Sequence, residues 1–254
     1  MIIPLPSACS ATAPCKCCGA MASLFGAVDF EKNCERRPLP ASGVRIHYYG
    51  CPRCQFFFTT AFDQFTNEDF RRYIYNDEYV LVDPEYAGAR PRRDFGVVNR
   101  LFWNAKPPTI LDYGGGTGKL AELLRTAGYP DVDTYDPFVP QFATRPAHRY
   151  HCIVCFEVAE HSTDPAEIFR EMNELLVEGG LILFSTLLAP DRIEPHMLDW
   201  WYVAPRNGHV SLYGRAALEN LVRPYGFTLL SFDNLYHVLF REVPDFAKHF
   251  ITNG

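Results

Sequence analysis

Short apolar runs alternate with amphipathic stretches from residue 109 onward. The runs predict buried strands at 109–113, 132–135, 152–156 and 181–185, and a final strand pair at 228–232 and 236–240. Helical periodicity, with glycine at the ends, predicts helices at 119–127, 165–176 and 215–225. Because strands and helices alternate in this way, we expect a Rossmann-like, doubly wound, mostly parallel sheet with helices on both faces.

The first part of the chain has a different pattern. Residues 1–60 contain paired cysteines and few periodic runs, whereas 61–105 is helical in pattern and interrupted by prolines. We therefore predict three regions: a cysteine-rich domain at 1–60, a helical connector at 61–105 and the α/β domain at 106–254.

Composition narrows the classes of function. Hydrophobic residues make up 48% of the 254 residues, which argues against disorder, and the net charge of -6 gives no general attraction to nucleic acid. The sequence contains no apolar run of about 18 residues and no signal-peptide pattern. We expect a cytoplasmic protein that acts on a small molecule, with neither a nucleic acid nor a membrane as partner. The oligomeric state stays open.

A glycine-rich segment follows the strand predicted at 109–113. Tyr113 and Leu120 stand where a phosphate-binding P-loop needs glycine and a hydroxyl residue, and Lys119 replaces the third glycine of a dinucleotide fingerprint. The segment resembles instead the first motif of class I S-adenosylmethionine (SAM)-dependent methyltransferases, which form a seven-stranded sheet. That resemblance implies that SAM is the cofactor, and that its methionine end is bound by the following residues: Asp112, Gly114, Gly115, Gly116 and Gly118.

Two further acids fit the same resemblance. Asp136 ends the next predicted strand, 24 residues after Asp112, and is the candidate for the ribose hydroxyls. Phe138 is a candidate for packing on the adenine, and a plain core role is an equal alternative. The run Glu157-Val158-Ala159-Glu160-His161 resembles the fourth-strand region of small-molecule methyltransferases. It assigns Glu157 to the cofactor side and makes His161 the candidate general base, with a helix-entry histidine bonded to backbone as the alternative.

The segment 200–210 resembles a loop of the same methyltransferases, with the pattern W-Y-x-x-P-R-x-G-H. Its aromatic, basic and imidazole side chains suggest a wall of the acceptor site. Tyr202 and His209 are further catalytic candidates, whereas Trp201 and Arg206 are candidates for substrate binding. The alternative is a packed lid that excludes water.

Two C-x-x-C pairs indicate a metal site. Cys15, Cys18, Cys51 and Cys54 match the spacing of a tetrahedral, structural zinc site in a zinc-ribbon-like domain. Three nearby residues compete as ligands: Cys17, Cys34 and His47. The layout resembles the amino-terminal domain of sugar C-methyltransferases, which act on nucleotide-linked deoxysugars.

The leading hypothesis is a SAM-dependent methyltransferase that acts on an oxygen or carbon of a small polar metabolite, sugar-related compounds included. Two alternatives are kept: an RNA base methyltransferase with a zinc module, and a non-catalytic SAM-binding interaction module.

Overall fold

The computed structural model describes residues 3–5, 9–86, 88–190 and 195–251. The strands are β1 (Thr12–Pro14), β2 (Met21–Asp29), β3 (Arg45–Gly50), β4 (Phe57–Thr59), β5 (Ile110–Tyr113), β6 (Val132–Tyr135), β7 (Tyr150–Phe156), β8 (Leu176–Ser185), β9 (Ser211–Leu212), β10 (Thr228–Ser231) and β11 (Tyr236–Phe240). The helices are α1 (Asn67–Tyr73), α2 (Ala89–Phe102), α3 (Lys119–Thr126), α4 (Pro165–Leu175), α5 (Arg215–Val222) and α6 (Lys248–Ile251). In these ranges no helix is both long and apolar enough to cross a bilayer.

The chain forms two compact units. Unit 1 comprises Met1–Pro84, Ala159–Ile168 and Thr186–Leu221. Unit 2 comprises Glu85–Val158, Phe169–Ser185 and Val222–Gly254. The two units are discontinuous in sequence, and their boundaries differ from those of the regions expected at 1–60, 61–105 and 106–254. The three regions stay a prediction.

Unit 2 contains a six-stranded sheet in the order β10-β11-β8-β7-β5-β6. The strands β6, β5, β7 and β8 are parallel, and β11 and β10 join them as an antiparallel pair. The predicted Rossmann-like α/β class is confirmed, with a mixed sheet. The described sheet has six strands where seven were expected. Between β6 and β7 lies a 3-10 turn at Pro140–Phe142, and Pro137, Pro140 and Pro146 disfavour a further strand there because proline has no N–H for the ladder.

The core of unit 2 lies between this sheet and helices α2 and α3. Leu120 and Leu124, one helical turn apart, are buried with Val98 and Phe102 of α2 against Ile110 of β5. Fully burying one such side chain contributes roughly 1.5–3 kcal/mol. This packing fixes the end of β5 and the start of α3, and therefore the loop that joins them.

Unit 1 contains an antiparallel sheet in the order β1-β2-β3-β4-β9. Phe56, Phe57 and Phe58 are fully buried, and the ring of Phe57 stacks on Tyr48 with 5.3 Å between centroids. The fifth strand comes from far along the chain: Ser211–Leu212 pairs with Phe57 and Phe58. A zinc-ribbon fold for this region stays a prediction.

Candidate active site

The glycine-rich loop of unit 2 runs from the end of β5 into α3. The Gly114 N–H donates to the Tyr135 carbonyl over 2.7 Å, which ties the loop to the end of β6. A Cβ at Gly115 would lie 2.3 Å from Oδ2 of Asp112 and 2.7 Å from Thr134. Only glycine therefore lets the backbone pass this close above the Asp112 carboxylate.

Asp136 fixes the same loop from the end of β6. Its Oδ2 accepts the Gly116 N–H and its Oδ1 accepts the Phe138 N–H, each over 2.8 Å, and the residue is buried. Phe138 itself is half-buried. Because a carboxylate has about four lone-pair sites, the two oxygens of Asp136 can still accept bonds from a ligand.

Buried carboxyl groups accumulate at this edge of the sheet. Asp112 is 4% exposed and Asp94, on α2, is 6% exposed. Burial, together with repulsion from Asp94 and Asp136, raises the pKa of Asp112 to about 7 against the pull of the Ala121 N–H. Burial also raises the pKa of Asp94 to about 7, with Glu157 adding to it and Arg93 opposing it. Neighbouring carboxyl groups therefore raise the pKa values of Asp94 and Asp112, and their combined negative charge when ionised favours the binding of a cation.

Glu157 follows β7 in a left-handed conformation, with φ of 53°. Its N–H donates to Oγ of Ser185 over 2.9 Å, and the Ser185 hydroxyl donates to Oε1 of Glu157 over 2.9 Å. A positive φ at a residue with a side chain costs free energy, of order 1–3 kcal/mol, and such strain concentrates at functional sites. These bonds hold the Glu157 carboxylate at the carboxyl end of β7.

A second polar cluster lies in unit 1. Glu160 is fully buried, and its Oε1 accepts the Tyr202 hydroxyl over 2.6 Å. One ligand atom from each of Glu160, His161 and His209 lies within 4.8 Å of the other two. These three residues and Tyr202 come from the 3-10 turn Ala159–His161 and from 202–209, and the spacing of the three ligand atoms would also suit a divalent cation. We call them the Glu160 cluster.

Hydrogen bonds orient His209 within the Glu160 cluster. Nδ1 of His209 lies 2.9 Å from the Tyr202 carbonyl, which can only accept, so Nδ1 carries the proton and Nε2 is the basic nitrogen. The Cys34 sulfur lies 3.7 Å from Nδ1, and the Tyr48 hydroxyl donates to the His209 carbonyl over 2.7 Å. The ring of His161 stands edge-on to His209, with 5.0 Å between centroids.

The two predicted substrate-binding residues differ in environment. Trp201 is 38% exposed. Arg206 is 3% exposed and donates to the Ile74 carbonyl over 2.9 Å and to Oδ1 of Asn76 over 3.1 Å, and it lies 3.7 Å from Glu31. Arg206 therefore has its donors directed at groups of the chain itself, where it holds the 202–209 segment.

The four cysteines of the predicted zinc site come together in unit 1. Sγ of Cys15 lies 3.5 Å from Sγ of Cys54, and Sγ of Cys18 lies 3.6 Å from Sγ of Cys51. All four sulfurs lie within 4.8 Å of one another, and in the described structure this group does not include Cys17, Cys34 or His47. Tetrahedral zinc, with Zn–S near 2.3 Å, separates its sulfurs by about 3.8 Å, so the donor set fits zinc.

Both cysteine turns have the same backbone. The N–H of Gly19 donates to the Cys15 carbonyl and that of Gln55 to the Cys51 carbonyl, each over 2.9 Å. Gly19 and Gln55 both have positive φ, 70° and 59°. Each of the two turns therefore supplies one cysteine pair to the four-sulfur site.

Comparisons of the sequence with known proteins identify the family of the chain. The family model described as "Methyltransferase domain" matches residues 86–231, more than half of the chain. The chain belongs to this methyltransferase family. A ubiquinone biosynthesis O-methyltransferase from Citrobacter koseri is 34% identical over 79 residues, 31% of this chain and 33% of that protein. The corresponding Escherichia coli O139:H28 enzyme is 33% identical over the same shares. The chain thus spans about a third of the length of these curated relatives.

A solved structure supports the fold of this methyltransferase domain. An O-methyltransferase family protein from Burkholderia thailandensis superposes with a TM-score of 0.53 at 18% identity. The superposition covers 71% of this chain and 64% of that one. At this identity the likeness establishes a shared fold.

The site of this methyltransferase domain fits SAM. The cofactor carries an ammonium and a sulfonium, and the edge of the unit 2 sheet presents buried carboxyl groups to cations. No donor among the described residues reaches Oδ2 of Asp112, which is buried, so that oxygen can accept from an ammonium group. The Gly115 backbone lies directly against this carboxylate, because a Cβ at Gly115 would be only 2.3 Å from Oδ2 of Asp112.

Two residues of these sites, Asp94 and Glu160, were not predicted from the sequence. Asp94 lies on α2, 18 positions before Asp112, in a stretch whose pattern indicates only an amphipathic helix. Glu160 belongs to the E-V-x-E-H run but had no assigned role. An acid within an apolar helical face is the available signal for Asp94, since charged residues are seldom buried without a partner.

Proposed function

We propose that the chain transfers a methyl group from SAM to an oxygen or carbon of a small polar metabolite. The observation that carries this proposal is the hydrogen-bonded Glu160 cluster, which offers two imidazoles and a phenol beside a buried carboxylate. An oxygen acceptor is favoured by the names of the curated relatives, which are O-methyltransferases of ubiquinone biosynthesis. Sugar-related acceptors remain within the proposed class.

Residues of unit 2 would hold the cofactor. We assign the ammonium end to Asp112 and the loop of Gly114, Gly115, Gly116 and Gly118. Asp136 would accept bonds from the ribose hydroxyls, Phe138 would pack on the adenine, and Glu157 would add negative charge near the sulfonium. When bound, SAM supplies an electrophilic methyl group.

Residues of the Glu160 cluster would prepare the acceptor. His161 takes the proton from the acceptor hydroxyl or acidic carbon, and the Glu160 carboxylate stabilises the positive charge that then forms on the imidazole. His209 binds the acceptor through Nε2, because its Nδ1–H is directed at the Tyr202 carbonyl. Tyr202 keeps Glu160 in place through its hydroxyl and is the second candidate to contact the acceptor. Arg206 positions this segment from the side of Ile74 and Asn76.

The cysteines of unit 1 would hold one structural zinc ion. The proposal is supported by the sulfur spacing and by the matching turns at Cys15–Cys18 and Cys51–Cys54. Because four thiolates fill a tetrahedral site, zinc here would stabilise the fold and leave no position for substrate.

The test uses SAM labelled in its methyl group, with a cell extract divided into small metabolites and RNA. We expect label in the metabolite fraction with the wild type and about 10²-fold slower labelling with His161→Ala, while SAM affinity is unchanged. His196→Ala, a change at an exposed histidine of the same unit, is the control and should label normally. Label in RNA alone would favour the RNA methyltransferase, and SAM binding without any labelling would favour the interaction module. Normal labelling by His161→Ala would remove His161 as the base.

A further inference from the structure

A cavity of about 290 Å³ in unit 1 is not used by the proposed methyl transfer. It is lined by Lys32, Asn33, Arg36, Arg37, Asp199 and Trp201. A second cavity of about 510 Å³ shares Lys32, Arg37 and Asp199 with it and adds apolar side chains together with the carboxylates of Asp29 and Glu31. The first cavity, which we call the arginine cavity, is therefore the part of this groove in which cationic side chains outnumber carboxylates.

The loop that carries the two arginines is held in one shape. Asp29 closes its base by accepting the N–H groups of Glu31 and Gly43, each over 2.9 Å. Within it, Asn33 is buried and bonds both the N–H and the carbonyl of Arg37, each over 2.9 Å. Arg36 has a φ of 53°, a conformation that costs free energy and persists only where the surrounding structure imposes it. A fixed loop loses little conformational entropy when a ligand binds.

Positive charge in the arginine cavity exceeds negative charge. Three cationic side chains face one carboxylate, that of Asp199. Burial lowers the pKa of Lys32 to about 8, and repulsion from Arg36 adds to this, while Cys34 and Asp199 oppose it. Among the described residues, the guanidinium groups of Arg36 and Arg37 make no hydrogen bond or ion pair with the protein. A bound anion would relieve the repulsion and supply acceptors for both.

The same loop contacts the Glu160 cluster within unit 1. Nζ of Lys32 donates to the carbonyl of Val203 over 2.5 Å, next to Tyr202 in the chain. Cys34 lies against His209 through its sulfur. Trp201, on the rim of the arginine cavity, directly precedes Tyr202. The cavity and the proposed acceptor-binding residues are therefore built from the same two chain segments.

We propose that the arginine cavity binds the anionic group of the methyl acceptor, a carboxylate or a phosphate. Arg36 and Arg37 pair with the anion, because a guanidinium presents two parallel donors to either group. The indole of Trp201, 38% exposed, packs on the organic part next to it. The assignment to the acceptor rests on the proposed function, whereas the binding of an anion does not.

The first experiment measures binding without SAM, by calorimetry at low ionic strength. Phenyl phosphate and benzoate are the anionic probes, and benzyl alcohol is the neutral probe of similar shape. We expect the preferred anion to bind the wild type and to bind Arg36→Gln/Arg37→Gln at least about tenfold more weakly, the scale of one lost charge-assisted pair. Arg71→Gln/Arg72→Gln, an adjacent pair on α1 with the same change in charge, should bind like the wild type. Comparison of the two anions tells phosphate from carboxylate.

The second experiment follows methyl label from SAM into metabolites separated by anion exchange. We expect the labelled products to be anionic, and KM for them to rise about tenfold or more in Arg36→Gln/Arg37→Gln while kcat is retained. Unchanged anion affinity in this variant, or equal binding of benzyl alcohol, would overturn the anion site. Arginine-dependent anion binding with only neutral labelled products would overturn the assignment to the acceptor. Failure of the wild type to transfer label would contradict the proposed function. The binding experiment would still show whether the arginine cavity binds an anion.

Discussion

Replacing Asp94 by asparagine should stabilise unit 2 at pH 8 and leave it unchanged at pH 5. The pKa of Asp94 and that of Asp112 are both raised to about 7, mainly by burial, and Asp112 is raised further by Asp94. In the unfolded chain an aspartate loses its proton near pH 3.9. Between about pH 4 and 7 the folded state therefore binds more protons than the unfolded state, and these groups make stability fall as pH rises through that window.

The size of the effect follows from the width of this window. Each carboxyl group keeps its proton over about three more pH units than in the unfolded chain, and at 1.36 kcal/mol per unit this is at most ~4 kcal/mol. Since the two carboxyl groups share part of that cost, we expect Asp94→Asn to gain about 1–3 kcal/mol in free energy of unfolding at pH 8. At pH 5 both carboxyl groups are protonated, so the near-isosteric amide should change stability by less than about 0.5 kcal/mol.

Urea unfolding at the two pH values measures this difference. Asp131→Asn removes an exposed carboxylate of the same unit and should have little effect at either pH. A stabilisation by Asp94→Asn that is equal at pH 5 and pH 8, or a loss of stability at pH 8, would refute the argument that repulsion and burial act on the ionised carboxylate.

Two further predictions address the ligands. Asp136→Ala should weaken SAM binding by roughly 1.5–3 kcal/mol, the scale of hydrogen bonds to a charged group, and unchanged affinity in calorimetry would contradict the ribose assignment. Part of the loss will come from the loop, because Asp136 also holds the Gly116 N–H. Elemental analysis should give one zinc per chain, and Cys51→Ser/Cys54→Ser should lose it together with stability. Cys152→Ser, a change at a buried cysteine of unit 2, should keep the metal. A fully folded, metal-free preparation of the wild type would exclude the structural role.

The sequence by itself determined the features that depend on residues a few positions apart. The strand, glycine loop and helix around Gly114 to Gly118 follow from local periodicity and from backbone freedom at glycine, and the structure confirms them. The family was recognisable from the same segment, and the pairing of the last two strands was predicted from two apolar runs that follow each other closely in the chain. The two C-x-x-C pairs likewise come together as expected.

Only the tertiary structure decided which distant residues meet. Glu160 bonds Tyr202 across 42 positions, and β9 joins β4 although more than 150 residues separate them. The burial of Asp94 and Arg206, and the cationic cavity at Arg36 and Arg37, likewise depend on which surfaces pack together. Such contacts arise from the packing of whole elements, and a residue's own neighbours in the chain specify its local conformation but not the partner that its side chain will find.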